Sequence, residues 1–142
     1  MSQGFGLDLA DPERSGVYAV ESRELDSIAA LARSEGLRVL RVDLSGCHEK
    51  RMLLARLAAQ LDFPRSFGRN WDALSDALAD LSWKRAEGYA LLLDAADGLR
   101  QHSADDFQVL LEILDEVANR WRGLATPFVT FLGLDVESDS SD

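Results

Sequence analysis

Residues 89–93 read Tyr-Ala-Leu-Leu-Leu, an apolar run without polar interruption, preceded by Gly88 and closed by Asp94. A strand with one wet face alternates polar and apolar residues, whereas an unbroken run of strand length suits a strand covered on both faces. That decides the fold class, because strands buried on both sides belong to parallel sheets flanked by helices. Working outward, Leu37 to Leu44 (LRVLRVDL) is rich in Val and Leu and too short for another helix, and Phe128 to Leu132 (FVTFL) gives a last strand. Gly16 to Val20 (GVYAV) is a further, short strand candidate.

Helical spacing fills the intervals. Ser22 is placed to cap a helix carrying Leu25, Ile28, Ala29 and Ala32, ended by Gly36. Glu49 to Leu61 is a second amphipathic helix, stopped at Phe63-Pro64 because the residue before proline is driven out of the helical region. A loop from Pro64 to Asn70 leads into a third helix, about Trp71 to Leu81. Ser103 and Asp106 resemble a capping box and open a long helix to about Arg122. The predicted order is strand, helix, strand, helix, helix, strand, helix, strand, so the class is α/β with a mainly parallel sheet. Residues 1–15 mix Gly, Pro and charge and are expected to form a flexible arm. Residues 136–142 are expected to form an acidic, Ser-rich flexible tail.

A chain of 142 residues is long enough for one domain with one sizeable core. Its 25 acidic residues against 15 Lys and Arg give a formal charge of −10. Such a surface repels nucleic acid and anionic membrane, and attracts basic partners. The single cysteine, Cys47, allows no intrachain disulfide and provides no metal-ligand spacing. There is no signal-peptide pattern, and no apolar run approaches the roughly 20 residues that span a bilayer. The expected compartment is the reducing cytoplasm.

On the third helix, Trp71, Leu74, Leu78 and Leu81 fall on one stripe, the face to be buried. Asp72, Asp76 and Asp80 recur every four residues on the opposite side. Asp is a poor helix former, and like charges four apart cost roughly 0.2–0.5 kcal/mol per pair. With Asn70 as N-cap, Asp72 meets the positive end of the helix dipole; Asp76 and Asp80 have no such compensation. A solvated polar face and a docking face both satisfy this layout. The long helix repeats it, with Phe107, Leu110, Leu114, Val117 and Trp121 as its apolar stripe and Glu112 and Glu116 pointing away. Periodicity does not say whether the two acidic faces adjoin.

Catalytic chemistry finds little support. Asp72, Asp76 and Glu116 as ligands of Mg²⁺ or Ca²⁺ is a rival reading, but about six oxygen ligands are needed and no ligand loop is present. His48 and His102 have no nucleophile motif nearby and read as surface or helix-end residues, and Cys47 as a small packed residue. Trp71, Trp83 and Trp121 lack the basic groove of a base-stacking platform, and Gly68 stands alone where a phosphate cradle needs several glycines. No enzyme, no metal and no cofactor is expected.

The stretch Phe63 to Leu78 (FPRSFGRNWDALSDAL) resembles the central signature of the barstar family. The matching elements are Pro64, Phe67-Gly68, Asn70 and Asp72-Ala73-Leu74, with Asp76 and Leu78 in register, and the pattern of strands and helices is similar from about Leu37 to Leu132. The resemblance implies a small parallel sheet of three strands packed with helices over residues 37–135, to which residues 16–36 add a strand and a helix. It also implies an inhibitor of a basic, barnase-type ribonuclease, monomeric when free, with carboxylates occupying the cationic site where substrate phosphates sit. The implied contact residues are Ser66, Phe67, Gly68, Asn70, Asp72, Ser75 and Asp76, with Asp80 as a steering charge and Glu116 as the late-helix acid. Ser66 and Ser75 stand where the best-known member has large aromatics, and Arg65 and Arg69 make the loop partly basic where that protein is acidic. An acidic protein-binding module with a non-ribonuclease partner is the alternative.

Overall fold

The structure, a computed structural model, describes residues 9–135. Four strands, β1 (Gly16–Glu21), β2 (Arg38–Asp43), β3 (Tyr89–Asp94) and β4 (Phe128–Leu134), form one sheet in the order β1-β4-β3-β2. Every pairing is parallel. The helices are α1 (Leu25–Ser34), α2 (Lys50–Gln60), α3 (Trp71–Asp80), α4 (Asp97–His102) and α5 (Ala104–Gly123).

The unbroken run at 89–93 is the key to this arrangement. In β3, Ala90 and Leu92 join Ile28, Ala29 and Ala32 of α1 on one face of the sheet. Tyr89, Leu91 and Leu93 join Leu53, Leu57, Leu74, Leu78, Leu114 and Val117 on the other. The sheet is therefore sandwiched, with α1 alone on one side and α2, α3 and α5 on the other. The extra N-terminal strand takes an edge, beside β4.

Several local details differ from the sequence reading. Ser22 does not cap α1: it lies in a 3₁₀ turn, Ser22–Glu24, and among the described residues its buried hydroxyl has no hydrogen-bond partner. Asp106 also escapes its expected role. Its carboxylate accepts the Ser103 hydroxyl at 2.6 Å and the backbone N–H of Lys50 at 2.9 Å, so it serves the N-terminus of α2. α4 has no signal in the sequence, since six residues with Leu99 as their buried member show no periodicity. The expected arm is packed from Leu9 onward: Leu9 is buried in the α1 face, and the buried Ser15 hydroxyl accepts from Phe128 N–H at 3.0 Å. Residues 1–8 of that arm and the expected tail, 136–142, lie outside the described residues.

Candidate functional site

The loop and α3 are built as the spacing implied. Phe67 N–H donates to the Pro64 carbonyl at 2.9 Å, turning the chain back. The ring of Phe67 packs edge-on to Phe63 at 4.8 Å, and Phe63 in turn to Trp83 at 5.8 Å, so an aromatic cluster holds the loop. Asn70 Oδ1 accepts the N–H of Ala73 at 2.7 Å, the N-cap of α3. Asn70→Ala is expected to cost about 1 kcal/mol of stability, measured as a lowered urea midpoint. A Cβ on Gly68 would lie 3.2 Å from Asn70 Nδ2, so glycine keeps this turn close to the helix start.

Between loop and helix lies a groove of about 350 Å³, lined by Ser66, Phe67, Gly68, Ala73, Asp76, Ala77 and Asp80, together with Pro64 and Trp83. Five of the sequence-derived residues, Ser66, Phe67, Gly68, Asp76 and Asp80, are thus brought together. Asp72 and Ser75 do not line the groove; Asp72 lies one turn before Asp76 on the exposed side of α3. Leu74 and Leu78 are fully buried on the inner face of α3, and Trp71 is half-buried with Lys50 Nζ 5.6 Å from its ring centroid.

The acidic helices adjoin. Trp121 Nε1 of α5 donates to the Leu78 carbonyl of α3 at 2.9 Å. Arg122, the next residue of α5, reaches the Ser15 carbonyl beside β1. At 3.6 residues per turn, Glu116 stands about 140° around α5 from Trp121, on the exposed side of the helix.

What the carboxylates do separates them. Many acids in this chain have internal work: Arg41 grips Asp94 at 2.7 and 3.0 Å and Asp26 at 2.8 Å, which raises the guanidinium's already high pKa. The N–H of Ser45 donates to Asp43 at 2.9 Å, holding that carboxyl below its usual range. Asp80 is partly committed too, accepting the Ser82 hydroxyl at 2.8 Å. Asp72, Asp76 and Glu116 are exposed, and among the described residues their carboxylates accept no hydrogen bond and join no ion pair.

Other candidate chemistry is accounted for differently. Cys47 is fully buried, and burial pushes its thiol pKa up, away from nucleophilic use. Among the described residues, no three His, Cys, Asp or Glu side chains gather to hold a metal ion, and no helix is long and apolar enough to cross a membrane. His48 and His102, which the sequence treats separately, stack at 4.0 Å on the surface. Only the packing of α4 beside the Cys47–His48 turn brings them together.

A family model described as "Barstar (barnase inhibitor)" matches residues 37–133. The chain belongs to the Barstar family. The match takes in β2 to nearly the end of β4, with the groove and both acidic helices, and leaves out β1 and α1. In this Barstar-family chain β1 joins the same sheet and α1 packs on its face, rather than the two forming a separate unit. A search of curated proteins returns no match. Among solved structures, the chain is similar to the Aeropyrum pernix ORC2 protein in its ADPNP–ADP complexes, with 15% identity and a TM-score of 0.52. The likeness covers 89% of this chain and 37% of that one, and at this identity it shows the fold alone.

Proposed function

We propose that this chain inhibits a barnase-type ribonuclease in the cytoplasm, placing the carboxylates of α3 against the enzyme's cationic active site. The observation that carries the reading is the pair Asp72 and Asp76: exposed, without internal partners, and inside the segment matched by the Barstar model. A ribonuclease site holds cations arranged for a phosphodiester, and carboxylates accept the same charge-assisted hydrogen bonds. The groove beside Asp76 gives the partner's surface a concave seat floored by Phe67, Ala73 and Ala77. Ser66 and Ser75 are small, so the carboxylates supply a larger share of the contact than aromatic anchors would leave them. Asn70 acts from within as the cap that fixes α3. Asp80 and Glu116 add negative potential at the two flanks, and the formal charge of −10 speeds encounter with a basic protein. The inhibitor performs no catalysis, needs no cofactor and acts as a monomer.

Equimolar wild-type protein is expected to suppress RNA cleavage by such a ribonuclease. The association rate should fall steeply as ionic strength rises, because exposed charges are screened over a Debye length of roughly 8–10 Å. Stopped-flow measurement at several salt concentrations checks this. An association rate indifferent to salt contradicts the electrostatic account, and a lack of inhibition across several ribonucleases of this type contradicts the inhibitor reading.

A further inference from the structure

The loop that borders the acidic groove is itself basic. Between Lys50 and Trp71 the cations are Lys50, Arg51, Arg56, Arg65 and Arg69, against one acid, Asp62. From Asp72 to Asp80 on α3, and from Ala104 to Asn119 on α5, there is no cation at all. Charge therefore changes sign along the loop, within the span of one interface.

Part of this basic segment is internally engaged. Arg56 donates to the Asp43 and Ser45 carbonyls at 2.6 and 3.0 Å, Lys50 lies over Trp71, and Asp62 accepts from Lys84 at 3.0 Å. Arg65 and Arg69 differ. Both are exposed, and among the described residues neither makes a hydrogen bond or an ion pair. They line a second cleft, of about 230 Å³, floored by Ala55, Ala58 and Ala59 of α2. Pro64 and Phe67 line both this cleft and the acidic groove, so the basic and acidic surfaces share a border. Arg69 also holds a φ of 55°, where glycine or asparagine sits at less cost. Local backbone preference therefore gives no reason for an arginine there.

We propose that Arg65 and Arg69 receive carboxylates of the same partner and so determine which ribonuclease is bound. This rests on the inhibitor reading above and refines it. Guanidinium groups pair with carboxylates in a bidentate fork, and like charges across an interface are rejected. The partner then combines a cationic centre, facing Asp72 and Asp76, with an acidic border on the loop side.

The test uses a barnase-type ribonuclease that carries carboxylates beside its active site, and a version with those carboxylates changed to lysine. Inhibition constants of wild type, Arg65→Gln/Arg69→Gln and Arg65→Glu/Arg69→Glu are measured against both. Wild type is expected to favour the unaltered ribonuclease at least tenfold, the Gln variant to lose that preference and the Glu variant to reverse it. All three are expected to melt together, since both side chains are exposed. If the ratio between the two ribonucleases is the same for all three inhibitors, the inference is overturned and the inhibitor reading stands. If wild type inhibits neither ribonuclease, both are overturned.

Discussion

Asp76→Ala is expected to weaken inhibition of the target ribonuclease by more than a hundredfold while leaving the melting temperature unchanged or slightly raised. Asp76 lines the groove and is not held by any group of its own chain among the described residues. In the proposed complex it becomes buried against cations that have given up their water. Removing one member of such a pair strands the other, at a cost of roughly 3–5 kcal/mol, and every 1.4 kcal/mol is tenfold in affinity. In the free protein the same change removes like-charge repulsion from Asp72 and Asp80, each four residues away along α3, and replaces a poor helix former with the best one. Titration calorimetry and thermal melts on the same preparation separate the two effects. A variant that loses affinity by less than about threefold places Asp76 outside the interface, and one that loses affinity and stability together makes it a structural residue.

Trp121→Ala is expected to destabilise the protein by about 3–5 kcal/mol, lowering the melting temperature by more than 10 °C at roughly 4 °C per kcal/mol for a domain of this size. The indole lies 5.3 Å from Tyr89 and 6.3 Å from Phe128, ring centre to ring centre, so its loss opens a cavity between α5 and two strands. It also leaves the Leu78 carbonyl without the donor that ties α3 to α5. Trp121→Phe keeps most of the volume but not the donor, and an intermediate loss of about 1–2 kcal/mol is expected. A loss below about 1 kcal/mol for the alanine variant contradicts the view that this contact fixes the acidic helices side by side.

Much of the architecture is visible in single stretches of sequence. Burial of β3 on both faces follows from the absence of period in 89–93, and the buried side of α3 follows from the spacing of Trp71, Leu74 and Leu78. Where the reading went astray, a distant residue had intervened. Asp106 has the spacing of a capping box, yet the N-terminus of α2 captures it. Leu9 stands with Phe5 and Leu7 among Gly, Pro and charged residues, and three apolar positions are too few to fix an element. The site divides in the same way. Its carboxylates and its N-cap are local features, legible from helical spacing and from the signature. The groove is not, because it exists only where the aromatic cluster of Phe63, Phe67 and Trp83 folds the loop back along α3. That α5 stands next to α3 is likewise a property of the packed fold, set by Trp121 and by the shared core beneath both helices.

The central claim, that the carboxylates of α3 occupy the position of substrate phosphates, has a direct measurement. The affinity of the wild-type chain for the ribonuclease is determined in the presence of increasing concentrations of a nucleoside monophosphate that fills the enzyme's active site. The account predicts strict competition, the apparent Kd rising in proportion to nucleotide concentration, with the effect lost in Asp72→Ala/Asp76→Ala measured at concentrations where it still binds. An affinity that stays constant as the nucleotide saturates the active site would contradict it.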